Sequence, residues 1–176
     1  METKQMVKRG FAIFGVALCA AFALCGCANY RLGTTLPPHL KTIYVETFEN
    51  HTEEPNIEQK ITIAVRRQFQ HDGQLKIVAN EDISDVTLKA TLESYDVESL
   101  LYERNSPTTT RRYRARVFCM VDARETATGK VIVQQRVTGD TTFPAVGDTV
   151  TARRNALDEV ARDLALEVVD SVIGAW

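Results

Sequence analysis

The hydrophobic pattern of the chain is helical in two segments and strand-like in the region between them. In residues 56–70, apolar side chains recur at steps of three and four, which gives a helix one apolar stripe. That stripe consists of Ile57, Ile61, Ala64, Val65 and Phe69. A second stripe, in residues 151–173, consists of Leu157, Val160, Ala161, Leu164, Val168 and Val172. We therefore predict two helices, each with one face turned toward a core.

Five other segments have the composition or the alternation of β-strands. They are residues 42–48, 75–78, 86–102, 110–124 and 131–138, with a bend or bulge expected near Ser94 in the third. Gly129, between the last two, is placed to adopt a positive φ in a hairpin loop. The predicted fold class is α+β: a two-layer sandwich in which a mixed, mostly antiparallel sheet packs against two helices, in the order β-α-β-β-β-β-α.

The start of the chain has the layout of a lipoprotein precursor. Lys4, Lys8 and Arg9 precede an uncharged apolar run of 14 residues, 11–24. Such a run suits a signal-peptide core and is shorter than the roughly 20 residues that a membrane-spanning helix needs. The run ends in Leu24-Cys25-Gly26-Cys27. This resembles the lipobox of bacterial lipoproteins, which has an aliphatic residue, a small residue before the cut and a cysteine that is acylated.

We expect cleavage before Cys27. Residues 1–26 are then a lipoprotein signal peptide, residues 27–41 a lipidated tether, and residues 42–176 a single α+β domain. Cys25 is a poorer candidate for acylation, because Leu24 would occupy the position that favours a small side chain. The alternative is an ordinary secretory signal whose cysteines are incidental.

Cleavage also defines the charge and the cysteine content of the mature chain. The formal net charge changes from −2 to −4, because three basic residues and one acidic residue leave with residues 1–26. A mildly acidic domain gives no reason to expect a nucleic-acid partner. Only Cys119 remains as a free thiol, so we expect no intramolecular disulfide. It alternates with Val117 and Val121, which predicts a small buried side chain.

The sequence offers no set of residues suited to catalysis or to cofactor binding. His39, His51 and His71 do not have the spacing of metal ligands. The chain has no Gly-rich phosphate loop and no nucleophile elbow. We therefore predict a binding or structural module, not an enzyme, with no cofactor and no metal.

One polar cluster stands out in the strand at residues 110–124. Strand periodicity places Arg112, Arg114 and Arg116 on one face, together with Phe118 and Met120. Guanidinium groups suit phosphates and carboxylates, so the arginine stripe is a candidate contact for an anionic lipid or for an acidic partner. The alternative is a solvated sheet face that discourages aggregation.

Several stretches of the chain together resemble the lipopolysaccharide-assembly lipoprotein family (LptE). The likeness is carried by residues 27–32 (CANYRL), 38–45 (PHLKTIYV), 48–52 (FENHT), 65–69 (VRRQF), 72–75 (DGQL) and 128–131 (TGKV). The resemblance implies helices packed on a mixed sheet. It also implies an outer-membrane lipoprotein, anchored on the periplasmic side, that acts as plug and partner of the LptD β-barrel in lipopolysaccharide transport. Direct binding of lipopolysaccharide through basic residues is part of what the family likeness implies.

A second resemblance leads to a different partner. Residues 45–52 (VETFENHT) are similar to envelope lipoproteins that activate peptidoglycan synthases and to CsgG-like secretion lipoproteins. Those proteins also have a first strand followed by a helix. This alternative predicts a partner in cell-wall synthesis or in secretion. The hairpin and long final helix predicted here favour the lipopolysaccharide hypothesis.

Overall fold

The structure, a computed structural model, describes residues 36–100, 112–144 and 149–176. The chain forms strands β1 (Thr42–Val45) and β2 (Glu49–Asn50), helix α1 (Ile57–Asp72), strand β3 (Lys76–Ile77), a single 3₁₀ turn (Glu81–Ile83), strands β4 (Val86–Leu100), β5 (Arg112–Glu125) and β6 (Val131–Pro144), and helix α2 (Thr149–Ile173). Helix α1 ends at Gly73, which adopts φ 76° and donates its N–H to the Phe69 carbonyl. Glycine suits this position because it takes the left-handed conformation without steric cost.

The strands form one mixed sheet in the order β3-β1-β4-β5-β6. β1 is parallel to both of its neighbours, β3 and β4. β5 is antiparallel to both of its neighbours, β4 and β6. The short β2 runs parallel to β4 at Thr91 and Leu92. The sheet is thus parallel where α1 connects its strands and antiparallel where hairpins do, as connection length requires.

A β-bulge between Leu92 and Ser94 divides β4 into two halves. The first half pairs with β1 and β2 on its outer side, and in the described residues the second half pairs with β5 alone. β4, β5 and β6 therefore continue beyond β1 as a three-stranded sheet. We call the end with the β5–β6 hairpin the hairpin end, and the end at Leu100 and Arg112 the far end. The 14 residues of β5 separate the two ends by about 45 Å.

Both helices pack on one face of the sheet, and the core lies between the two layers. The helix stripes predicted from the sequence are buried there, apart from the half-buried Ala64. The sheet contributes Ile43, Val45, Val86, Leu88, Leu92, Val117, Cys119 and Val121. Gly139 in β6 marks a close approach of α2, because a Cβ there would lie 2.6 Å from the Cβ of Leu164.

The predicted fold class is confirmed, with the two helices and the mixed sheet in the expected order. The bulge in β4 and the positive φ of Gly129, 70°, are also confirmed. Residues 49–50, outside the predicted strands, form β2 because they pair with β4. β6 does not end at residue 138 but continues to Pro144, because pairing with β5 keeps it extended. None of the helices in the described ranges is both long enough and apolar enough to cross a membrane.

Candidate functional site on the open face of the sheet

The face of the sheet opposite the helices, called the open face here, carries the arginine stripe. Alternation along β5 buries Ala115 and Val117 under the helices and directs Arg112, Arg114 and Arg116 to the open face. The predicted division of β5 into a buried and an open side is therefore confirmed. The stripe occupies the far end of the strand, where β4, β5 and β6 form the sheet without β1.

Acidic side chains on the two neighbouring strands flank the stripe. Arg114 Nε lies 3.4 Å from Asp140 Oδ2 on β6, and Arg116 Nη2 lies 3.9 Å from Glu98 Oε2 on β4. Arg112 is exposed and has no ion pair within the described ranges. Exposed pairs of this kind contribute only about 0–1 kcal/mol each. A phosphate or carboxylate of a partner can therefore replace either acid at little cost to the fold.

Phe118 extends the open face toward the hairpin end and lies between the guanidinium groups of Arg116, from the stripe, and Arg136, from β6. The Arg116 and Arg136 guanidinium carbons are 5.8 and 6.0 Å from the centre of its ring. Arg136 also lies 2.7 Å from Glu93, measured from Nε to Oε2. Phe118 and the adjacent Met120 are only half-buried. Arginine, aromatic residues and methionine are enriched at protein interfaces, so this part of the face has the composition of a contact surface.

Two shallow cavities open on the same face around Lys89, closer to the hairpin end. Their volumes are about 380 and 350 Å³, and Asp122 lines both of them. Lys89 Nζ lies 3.3 Å from Glu46 Oε2, and this carboxylate raises the pKa of Lys89. Charged side chains line much of each cavity, whereas small-molecule sites usually have mostly apolar walls. The cavities therefore do not indicate a small-molecule site.

The cysteines fall in different parts of the chain. Cys119 is completely buried, as predicted, and burial raises the pKa of its thiol to about 12. It is thus a packing residue and not a nucleophile at neutral pH. Cys27 and residues 1–26 lie outside the described residues, so acylation stays a prediction. Of the expected tether, the structure describes only the last part, where Leu36 and Leu40 are buried against the domain.

The sequence did not identify Arg136, Glu93, Glu98 or Asp140 as parts of this face. Asp140 lies beyond the predicted end of β6, and Glu98 follows the bulge, which changes the facing of the residues after it. Their pairing with the arginines depends on the register between β4, β5 and β6. The alternation of side chains within one strand does not predict that register. In the described part of the chain, no group of three or more His, Cys, Asp or Glu side chains could hold a metal ion.

Comparison with known families gives one match that covers most of the chain. Residues 40–172 match the family described as LptE, lipopolysaccharide-assembly. No curated protein matches the chain significantly.

Solved structures share the fold at low sequence identity. Protein XCC0632 from Xanthomonas campestris is 11% identical, with a TM-score of 0.55 over 81% of this chain and 90% of that protein. The hypothetical protein CT253 from Chlamydia trachomatis is also 11% identical, with a TM-score of 0.52 over 77% of this chain and 97% of that protein. At such identity the likeness concerns the fold alone.

Proposed function

Because this chain belongs to the LptE family of lipopolysaccharide-assembly proteins, we propose that it is an outer-membrane lipoprotein that acts as plug and partner of an LptD-type β-barrel. The family match over residues 40–172 carries the proposal. In this role the protein helps lipopolysaccharide to reach the outer leaflet. It acts by binding and not by catalysis, since assembly requires contacts with a barrel and a lipid but no bond to be made by this chain.

The anchor proposed for this role is the acylated Cys27. It holds the domain on the periplasmic side of the outer membrane, and the lipobox-like residues before it support this placement. Two or more acyl chains give stable membrane attachment, whereas one chain gives only reversible binding. The folded domain can then work at the membrane although no helix in its described residues crosses the bilayer.

The arginine stripe is the proposed contact for the phosphates of lipopolysaccharide. Arg112 is exposed, and the ion-pair partners of Arg114 and Arg116 are solvent-exposed acids. Phosphate accepts paired hydrogen bonds from a guanidinium group, and charge-assisted bonds of this kind are about twice as strong as neutral ones. The flanking acids keep the face close to neutral until an anion displaces them, which favours a ligand that brings several phosphates together.

Affinity purification from detergent-solubilised outer membranes tests the partner. The tagged, acylated chain is expected to retain an LptD-type barrel through washing at high salt. The untagged, acylated chain, extracted in the same way, controls for non-specific adsorption of abundant barrels. Recovery of a peptidoglycan synthase or a CsgG-like secretion pore in place of the barrel would replace this proposal with the alternative partner.

Lipopolysaccharide binding by an arginine variant tests the stripe. Substituting Gln for Arg112, Arg114 and Arg116 is expected to weaken binding about ten-fold or more, because charge-assisted contacts are lost. The matched control replaces Arg67, Arg154 and Arg162, which are exposed on the helices, and removes the same charge. Circular dichroism monitors folding of both variants. Equal affinities for the two would show that the stripe is a solvated face.

A further inference from the structure

Part of the outer side of β6 has no neighbour among the described residues. β6 is the last strand of the sheet, so β5 pairs with its inner side alone. Helix α2 covers the outer side at Asp140, whose N–H donates to Asp163 Oδ2. Strand alternation then directs the N–H and C=O groups of three preceding residues outward as well. These residues are Gln134, Arg136 and Thr138, and the described chain forms no hydrogen bond with their outer backbone groups.

The exposure of β6 agrees with an uncovered edge. Gln134, Gln135 and Arg136 are three consecutive exposed residues. Alternation in a strand that is covered on its outer side would leave at most every second residue exposed. We call residues 133–138 the open edge. They span about 20 Å, which is the length of an average strand.

Helix α2 carries an exposed apolar side chain beside the open edge. Glu159 bonds to Thr141 and Asp163 to Asp140, so residues further along α2 lie next to earlier residues of β6. Leu166 lies on the same face of α2 as these two acids, because 3.6 residues complete one turn. It therefore lies toward the open edge, and it is 45% exposed.

Two features disfavour pairing of the open edge with a second copy of this chain. Antiparallel pairing centred on Arg136 would place the Arg136 side chains of both copies directly opposite each other, which is destabilising. Ala123 pairs with Val133 and Arg124 with Val131, so Ile132 forms a bulge that ends the regular edge. A strand from a different protein, with an acidic residue opposite Arg136, is favoured by the same charge.

We propose that the open edge and Leu166 accept an extended segment of the partner barrel as an additional strand of the sheet. The segment has an acidic side chain opposite Arg136 on the open face and an apolar side chain against Leu166 on the other face. Main-chain hydrogen bonds supply affinity in such strand addition, and the alternate side chains supply selectivity.

The inference rests on the proposed function, because the barrel supplies the segment, and it adds the surface that joins the two proteins. Loops can fill the interior of a membrane barrel. A loop of this kind can reach the open edge of a domain that stands inside the barrel, so strand addition agrees with the role of a plug.

Photo-cross-linking of the acylated chain tests the site. A photo-reactive amino acid replaces Gln135 in the open edge, and the same replacement of Gln70, which is exposed on α1, is the matched control. After illumination of outer membranes, mass spectrometry identifies the barrel peptides that are joined to each position. Position 135 is expected to label one short segment of the barrel that contains an acidic residue, and position 70 is expected not to label that segment.

Two substitutions, each with a matched control, distinguish strand addition from proximity. Gln134→Pro removes an outward N–H without affecting the pairing with β5, whereas Gln134→Ala keeps that N–H. Leu166→Gln removes the apolar contact, and Ile63→Gln alters a side chain on α1 that is similarly exposed, at 47%. Gln134→Pro and Leu166→Gln are expected to lower the cross-link yield from position 135 at least about five-fold, because hydrogen bonds or apolar burial are lost.

The two controls should leave the yield unchanged, and urea unfolding checks that each variant folds. If Gln134→Pro does not fold, the Leu166→Gln and Ile63→Gln pair decides. Cross-links between two copies of this chain, or a yield that neither substitution changes, would overturn the inference while the recovery of the barrel still supports the proposed function. Failure of the wild-type chain to retain the barrel would overturn both proposals.

Discussion

Asp85 is the residue that fixes where the chain enters the domain. One of its carboxylate oxygens accepts three hydrogen bonds, from the backbone of Lys41 and from the backbone and hydroxyl of Thr42. The Asp85 N–H donates in return to the Thr42 hydroxyl at 2.9 Å. The bond from the Lys41 backbone and those from Thr42 lower the pKa of Asp85 from its ordinary value of 3.8, against the opposing effect of burial.

We expect Asp85→Ala to lower the free energy of unfolding by about 2 kcal/mol at pH 7, because three donors lose a charged acceptor. A lowered pKa in the folded state means that this stabilisation is complete above the ordinary pKa and is lost as the pH falls through the folded value. The difference from wild type should therefore narrow below about pH 3.8. Urea unfolding between pH 3 and pH 7 measures it. Asp82→Ala removes the same charge from an exposed neighbour, and an equal loss there would assign the effect to net charge.

Gly139 is the second residue whose identity the packing decides. A Cβ at this position would meet the backbone N and the Cβ of Leu164, each at 2.6 Å. We expect Gly139→Ala to lower the free energy of unfolding by about 1–3 kcal/mol, because α2 must move away from β6. Thr138→Ala alters the adjacent residue, whose side chain points to the open face, and serves as control. An unchanged urea midpoint for Gly139→Ala would show that α2 adjusts freely.

At the scale of elements, periodicity within a segment predicted what depends on that segment alone. The helix stripes and the alternation of β5 were correct, because a buried face imposes its period on the sequence. The end of β6 was not predicted. Glycine and proline usually weaken or interrupt strands. Gly139 nevertheless lies in β6 and makes room for α2. Pro144, which has no N–H to donate, is the last residue of this edge strand.

For the candidate site too, the sequence predicted what depends on one strand and not what depends on pairing between strands. Alternation placed Arg112, Arg114 and Arg116 on one face, which the structure confirms. Their acidic partners come from β4 and β6, and the bulge in β4 determines that Glu98 and not its neighbour stands opposite Arg114, within reach of Arg116. Register between strands depends on bulges and loop lengths. The sequence alone could therefore predict that the three arginines share one face. It could not predict that acidic side chains on the neighbouring strands pair with two of them.

Helix α2 also protects the exposed edge of the sheet. β6 is an edge strand, and the Asp140 N–H on its outer side donates to Asp163 Oδ2 of α2 at 2.8 Å. The neighbouring Thr141 hydroxyl donates to Glu159 Oε2 at 3.0 Å. Unpaired edge groups are templates for pairing with other chains, and covering them with a helix is one way to prevent it.

We expect Asp163→Ala to free the edge at Asp140 and to cause concentration-dependent association, with a loss of about 1 kcal/mol in the free energy of unfolding. Light scattering after size exclusion measures the association, and urea unfolding the stability. Asp158→Ala removes the same charge from the same helix and breaks only the exposed pair with Lys60, 2.6 Å apart. If both variants stay monomeric at high concentration, the carboxylate of Asp163 has no protective role.

At the scale of the whole molecule, the length of the sheet is the feature that bears on the proposed role. The arginine stripe lies 9–13 residues of β5 away from Glu125 at the hairpin end, which corresponds to about 30–45 Å. The hydrocarbon core of a bilayer is about 30 Å thick. If the domain stands inside a barrel, as proposed above, β5 is therefore long enough to cross the hydrocarbon core.

The anchor and the fold should be separable, because the buried core is made by residues 36–172 and Cys27 precedes it. We expect Cys27→Ala to remove the protein from the outer-membrane fraction, since each buried CH₂ of an acyl chain contributes about 0.8 kcal/mol to membrane binding. The urea midpoint of the mature domain should not change. Cys25→Ala is the matched control and should leave acylation and fractionation intact, because Cys25 is removed with the signal peptide. A mature Cys27→Ala domain that is insoluble and unfolded would contradict this division between anchor and fold.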